Sequence, residues 1–177
     1  MQKLTEEKIN ELSERIHQMN VDKGFWDSGK REVQQITNLN ISEISEALES
    51  YRKGEEAVFE IDGKPEGWVV EVADMAIRIL DAIGGKDKIE LKDRSEDKVQ
   101  QFLYNLTDMS MKACGNAIGK FSTNIFEDNL DNFVFNLKGI LYAIDLELEE
   151  FGFSLIDVIE NKLDYNATRA YKHGKKF

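Results

Sequence analysis

Four acidic residues, spaced in two pairs, are the groups in this chain best suited to chemistry. Glu43 and Glu46 stand three apart in ISEISEALES, and Glu71 and Asp74 stand three apart in WVVEVADMAI. At about 100° per residue, each pair shares one face of a helix. Two antiparallel helices carrying such pairs bring four carboxylates together, and like charges at that density repel unless a cation lies between them. An all-oxygen ligand set suits a hard ion, Mg²⁺ or Mn²⁺. Glu49 continues the first series, and Arg78 and Asp81 continue the second. Taken separately, Glu43, Glu46 and Glu49 read as a solvated helix face, whereas for Glu71 and Asp74 a salt-bridged core is the lesser alternative. The metal reading rests on the two pairs together. On that reading, neutralising Glu46 or Asp74 relieves repulsion and is expected to stabilise the metal-free protein.

Other chemistries lack their groups. Glu14-x-x-His17 is the only Glu-x-x-His in the chain, whereas a ferritin-like di-iron centre needs two. His17 therefore reads as a surface or internally satisfied histidine. No phosphate-cradling glycine loop or nucleophile-elbow string is present. The one cysteine, Cys114 in KACGNAIG, sits among small residues and reads as close helix packing. Towards the carboxyl end, Lys162, Asn166 and Arg169 share a helical face, followed by Lys172, Lys175 and Lys176. Such cations either bind an anionic ligand or form a solubilising tail. Trp26 either stacks on a nucleobase or anchors the core, and Trp68, one turn before Glu71, reads as core.

The elements that position these groups are helical. The chain has 177 residues, of which 41% are hydrophobic and 10% aromatic, enough for one packed core and too many for a disordered chain. A single proline and 12 glycines leave little material for the turns of a strand-rich fold. We expect an all-α bundle of about six helices forming one domain over 1–177. They run from Thr5 to about Asn20, Arg31 to Lys53, Pro65 to Ile83, Ser95 to Ile118, Asp128 to Phe151, and onward from Ser154. Residues 21–29 read as a loop and 54–64 as an irregular connection, with Pro65 at the first position of the third helix. In the second helix Val33, Ile36, Leu39, Ile41, Ile44 and Leu48 are the apolar positions, and Asn38 and Asn40 mark a local weakening or bend. The third helix is apolar almost all round, the pattern of a buried helix, yet carries Glu71, Asp74, Arg78 and Asp81. With 23 basic and 34 acidic residues the net charge is −11, which argues against a stable nucleic-acid partner. No apolar run reaches the ~20 residues of a membrane span, and the first residues lack a signal-peptide core. A cytoplasmic protein is the expectation.

These blocks also carry a resemblance. Glu43-x-x-Glu46 followed by Glu71-x-x-Asp74, inside GWVVEVADMAIRILDAIG, resembles the metal signature of the MazG-like all-alpha NTP pyrophosphohydrolases. KGFWD (Lys23 to Asp27) resembles the aromatic loop before that family's first metal helix. Lys162-x-x-x-Asn166-x-x-Arg169, then His173-Gly174-Lys175, is similar to the closing motif of many members. Over about residues 86–150 the likeness is limited to helix character and length. The resemblance implies Mg²⁺, with Mn²⁺ a possible substitute, held by Glu43, Glu46, Glu71 and Asp74. It implies hydrolysis of a nucleoside or deoxynucleoside triphosphate to the monophosphate and pyrophosphate. Substrate contacts would fall to Trp26, Lys162, Asn166, Arg169 and Lys175, and the assembly would be a homodimer or a dimer of dimers. Many members carry a second glutamate just before the first ligand, and Ser42 stands there in this chain. Glu46 and Glu49 are then the candidate catalytic carboxylates, with the metal's own bound water as the other way to activate the nucleophile. The contrasting expectation is a catalytically idle helical bundle that binds or senses nucleotides. The apolar third helix, with Phe102, Leu103, Leu106, Phe133, Phe135, Leu137, Ile140 and Leu141, is expected to bury against a second copy.

Overall fold

Thr5 opens the first helix as its spacing predicts: its hydroxyl accepts from the Lys8 amide at 3.2 Å, and α1 runs Glu6–Asp22. The computed structural model describes residues 2–90 and 130–170, the side chain of Asn132 excepted. A two-residue strand β1 (Arg31–Glu32) leads into α2 (Val33–Arg52), which stays helical through Asn38 and Asn40. Next come β2 (Phe59–Ile61), β3 (Lys64–Glu66), α3 (Trp68–Gly84), a 3₁₀ turn at Lys86–Lys88 and β4 (Ile89–Glu90). The last two described helices are α4 (Leu130–Glu150) and α5 (Leu155–Thr168). Ser154 caps α5 by accepting from the Asp157 amide at 3.3 Å. Most described residues are helical, and among them no helix is long and apolar enough to cross a membrane. The expected helix at 95–118, with Cys114, Phe102, Leu103 and Leu106, lies outside the described residues, as do Lys172, His173, Lys175 and Lys176.

The connection at 54–64 is more regular than expected. β2 and β3 pair antiparallel, with Phe59 opposite Glu66, Glu60 opposite Pro65 and Ile61 opposite Lys64. Asp62 and Gly63 turn the hairpin with φ of 51° and 77°, the positive values of a tight two-residue turn that Asp-Gly favours. Pro65 therefore sits in β3 and does not open α3. That helix starts after Gly67, whose φ of 112° suits glycine alone; a Cβ there would stand 2.5 Å from the Ala57 carbonyl oxygen. β1 and β4 form a short parallel pair, Arg31 opposite Ile89, which ties the entry of α2 to the exit of α3.

α3 is the hub. It packs against α1, α2, α4 and α5, and Val69, Val70, Ala73, Ala76, Ile79 and Leu80 are sealed from solvent. Ile9, Leu12 and Ile16 of α1 face it, joined by Leu141 of α4 and by Leu155 and Ile159 of α5. Much of the apolar circumference of α3 is thus used inside the one chain, while Trp68 and Val72 line an open apolar groove with Phe135 and Ile140. Phe133, Leu137 and Leu141 are likewise buried, whereas Phe135 is exposed. Of the apolar positions expected in α2, Val33 and Ile36 enter the core, but Ile44 and Leu48 are exposed, in line with exposed Tyr51. α1 meets α3 closely at Gly84, where an added Cβ would lie 2.3 Å from the Ser13 carbonyl oxygen and 2.7 Å from the His17 Cβ.

That approach yields a test. Gly84→Ala forces backbone against backbone and is expected to cost about 1–3 kcal/mol in urea unfolding. Gly139→Ala, in α4 with no described residue within 4 Å of the new methyl, should instead add up to about 1 kcal/mol through helix propensity. Equal effects at the two positions would show that α1 and α3 are not pressed together at Gly84.

Candidate metal centre

The charged stripe of α3 must be compensated, because an unpaired buried carboxylate costs several kcal/mol. Each member meets a different element. Arg78 reaches across to α2 and donates from Nε to Glu43 Oε1 at 2.6 Å, with Nη2 on the same oxygen. Asp74 pairs with Lys162 of α5 at 2.9 Å, and the Lys162 ammonium, buried to 3% exposure, also donates to the Pro65 carbonyl oxygen of β3 at 3.4 Å. Asp81 accepts from the indole of Trp26 at 2.9 Å and lies 3.0 Å from His17 Nδ1. Arg31 completes that group, 3.8 Å from Asp81 and stacked 4.6 Å over the Trp26 ring, with its Nη2 donating to the Phe25 carbonyl oxygen. Burial lowers the Arg31 pKa, and Asp81 partly restores it.

Glu71 is the exception. It is 9% exposed, and no donor among the described residues reaches its carboxylate. Its nearest company is acidic: Glu43, Glu46 and Glu71 each offer an oxygen, and the three oxygens lie within 4.8 Å of one another. Glu43 is buried and Glu46 is exposed. The entry of α2 pairs with the exit of α3 through β1 and β4, so the two helices run antiparallel, with Glu43 between Arg78 and Glu71. Burial, reinforced by Asp74, pushes the Glu71 pKa from 4.5 up to about 7, with Lys162 opposing. Burial also raises Glu43, offset in part by Arg78. Three such carboxylates could hold a metal ion, and their chemistry fits a hard cation that prefers oxygen.

The cluster lies on the wall of a cavity of about 540 Å³ between α2, α3, α5 and the 20–31 segment. Glu43, Glu46, Glu71, Asp74 and Asp81 line it together with five cations: Arg31, Lys64, Arg78, Lys162 and Arg169. Trp26, Phe25, Asn20, Ile36 and Leu39 also contribute. Of the expected residues, Glu43, Glu46, Glu71, Asp74, Trp26, Lys162, Asn166 and Arg169 are all brought to this one cavity. Trp26, however, is 5% exposed and hydrogen-bonded at its indole nitrogen, so it anchors the 20–31 segment. Asn166 has a buried Oδ1 with no hydrogen-bond partner among the described residues. Arg169 follows the last turn of α5, with its guanidinium 5.8 Å from the Tyr165 ring centroid. Glu49 is not brought in: it is exposed and pairs with Lys53 at 3.4 Å. Ser42 lines the cavity but donates to the Leu39 carbonyl oxygen at 2.8 Å. Lys175 lies outside the described residues. Sequence reasoning missed Lys64, whose signal was the Asp62-Gly63 turn, and gave Arg78 no role although it shares the acidic face.

Fold and site together define a helical bundle with a carboxylate-lined, cation-rimmed cavity. Compared with known proteins, the chain matches no family model, no curated protein and no solved structure.

Two expectations about charge follow from this geometry. Neutralising Asp74 does not simply relieve repulsion, because it strands the buried Lys162 ammonium; Asp74→Asn should destabilise. Glu71→Gln should do the opposite, in a pH-dependent way. Between pH 4.5 and 7 the folded protein keeps a proton on Glu71 that the unfolded chain has released, so stability is full below 4.5 and falls as pH rises through 7. Glu71→Gln removes that loss. In urea unfolding with a chelator present it should gain roughly 1–3 kcal/mol at pH 8 and almost nothing near pH 4.5. A gain independent of pH would show that Glu71 titrates as an ordinary carboxyl.

Proposed function

We propose that this protein is an Mg²⁺-dependent nucleoside or deoxynucleoside triphosphate pyrophosphohydrolase of the MazG-like all-alpha type. The observation that carries the reading is three carboxylates from two antiparallel helices within 4.8 Å of one another, on a cavity that also gathers five basic side chains. Carboxylates alone would suit a free cation, and basic groups alone a free anion. Their combination suits a polyphosphate accompanied by its metal.

Glu43, Glu46 and Glu71 would hold the ion, with Asp74 beside them under the restraint of Lys162. When bound, a divalent cation neutralises phosphate charge and lowers the pKa of water. Lys64 and Arg169 line the cavity as partners for the remaining phosphate oxygens. Water adds across the anhydride between the α and β phosphates: an oxygen–phosphorus bond forms, the bridging bond breaks, and its electron pair leaves with pyrophosphate. Glu46, the exposed member of the cluster, is the carboxylate fit to take the proton. Glu49, exposed and paired with Lys53, does not line the cavity. The oligomer is part of the same proposal, and the exposed Ile44, Leu48 and Tyr51 on one face of α2 are the surface that supports it.

One observation favours the contrasting reading of a nucleotide binder without turnover. Ser42 occupies the position of the additional glutamate, and its hydroxyl is engaged with the backbone. A single experiment separates the two. Purified protein with Mg²⁺ and a panel of NTPs and dNTPs is expected to release pyrophosphate and monophosphate in equal amounts, and Glu46→Gln should lower kcat at least about a hundredfold with an unchanged circular dichroism melt. Nucleotide binding without pyrophosphate release would establish the idle binder.

A further inference from the structure

Arg78 is a cation set directly beside a cluster proposed to bind a cation, and Coulomb's law alone makes that unfavourable for metal. The geometry points to a compensating role: we propose that Arg78 is a positioning residue, which fixes one oxygen of Glu43 so that the other is presented to the metal with Glu46 and Glu71. This rests on the metal reading above and adds to it a residue outside the ligand set.

Both Arg78 contacts, from Nε and from Nη2, fall on Glu43 Oε1. Oε2 is left without a cationic partner among the described residues. That side chain of α2, buried to 3% exposure, would otherwise be free to turn its carboxyl. The guanidinium opposes this, because its planar fork restrains the carboxylate. Glu71 is the independent sign that the cluster awaits a ligand, being nine-tenths buried, aimed into the cavity and without a donor among the described residues. Arg78 itself stands between two acids of its own helix face, Asp74 and Asp81, yet its hydrogen bond crosses to α2. It therefore sets the register of the two acid-bearing helices at the point where their carboxylates meet.

The test has opposite signs for charge and for positioning. Mn²⁺ binding is measured by water-proton relaxation on the full chain, without nucleotide. If Arg78 acted only as a repelling charge, Arg78→Gln would tighten Mn²⁺. As a positioning residue, its loss should weaken Mn²⁺ about 10- to 100-fold. Arg78→Lys keeps the charge but replaces the fork with a single ammonium, and should fall between the two. Melts followed by circular dichroism check that each variant folds; should Arg78→Gln fail to fold, Arg78→Lys decides alone. Mn²⁺ affinity equal to or tighter than wild type in the folded variants overturns the inference while leaving the metal site standing. A wild-type protein that takes up no Mn²⁺ overturns the metal reading and this inference with it.

Discussion

The whole arrangement depends on burying a charged stripe along a helix that is otherwise hydrocarbon. α3 must be central because its apolar residues cover nearly its full circumference, but Glu71, Asp74, Arg78 and Asp81 go inward with them. Each buried charge costs more than a typical hydrophobic contact returns unless it is met by a partner of opposite sign with satisfied hydrogen bonds. The partners come from everywhere else in the fold. Glu43 is supplied by α2, Lys162 by α5, Trp26 and Arg31 by the segment before α2, and His17 by α1. Packing alone tolerates helices that slide or rotate by part of a turn; these pairs do not. The stripe thereby fixes the relative placement of four elements, and the cavity is the space they leave around it.

Two regions of that stripe behave differently. At Asp81 the compensation is complete, with an indole, an imidazole and a guanidinium converging on one carboxylate, and the 20–31 segment is thereby held to the core. At Glu71 compensation is withheld. The contrast matters because both residues sit on the same helix at comparable burial, so the difference lies in what the neighbouring elements present. Lys162 is near enough to moderate the Glu71 field but spends its ion pair on Asp74. Lys64, brought over by the hairpin, makes its own ion pair with Glu66. An uncompensated buried acid is a place where stability has been given up, and such places are expected at sites of function.

The helices were legible because amphipathic period and caps are local. Thr5 and Ser154 cap where their side chains lead, and the fifth expected helix, Asp128 to Phe151, closely brackets α4. The acid pairs were legible for the same reason, since i and i+3 share a face whatever surrounds them. The hairpin was missed because each strand is only three residues long, so period-two alternation had no room to declare itself and the Asp-Gly turn was the sole signal. Which aromatic ring is free and which is an anchor was not legible at all. Trp26 reads the same from the sequence in either role, and only the position of Asp81, 55 residues away, decides it. Glu49 fails for a rotational reason. Three residues advance a helix by 300°, so by the third member of a series the side chain has drifted about 120° from the first, and Glu49 points to solvent where Glu43 points inward.

Charge arithmetic connects the proton affinity of Glu71 to the proposed ligand. Glu43, Glu46, Glu71 and Asp74 bring four negative charges to one side of the cavity, and Arg78 and Lys162 pair with two of them. Two negative charges remain, those of Glu46 and Glu71, the first exposed and the second buried. A group in that position lowers the local charge by whatever means is available. Without a metal the available cation is a proton, and it goes to the acid where burial and Asp74 both favour it, which is why Glu71 has its pKa raised to about 7. A divalent ion would supply both missing charges at once and release that proton. Metal uptake should therefore strengthen as pH rises towards 7 and level off above it, the direction opposite to the stability of the metal-free protein, because the same carboxylate is being offered to two competing cations.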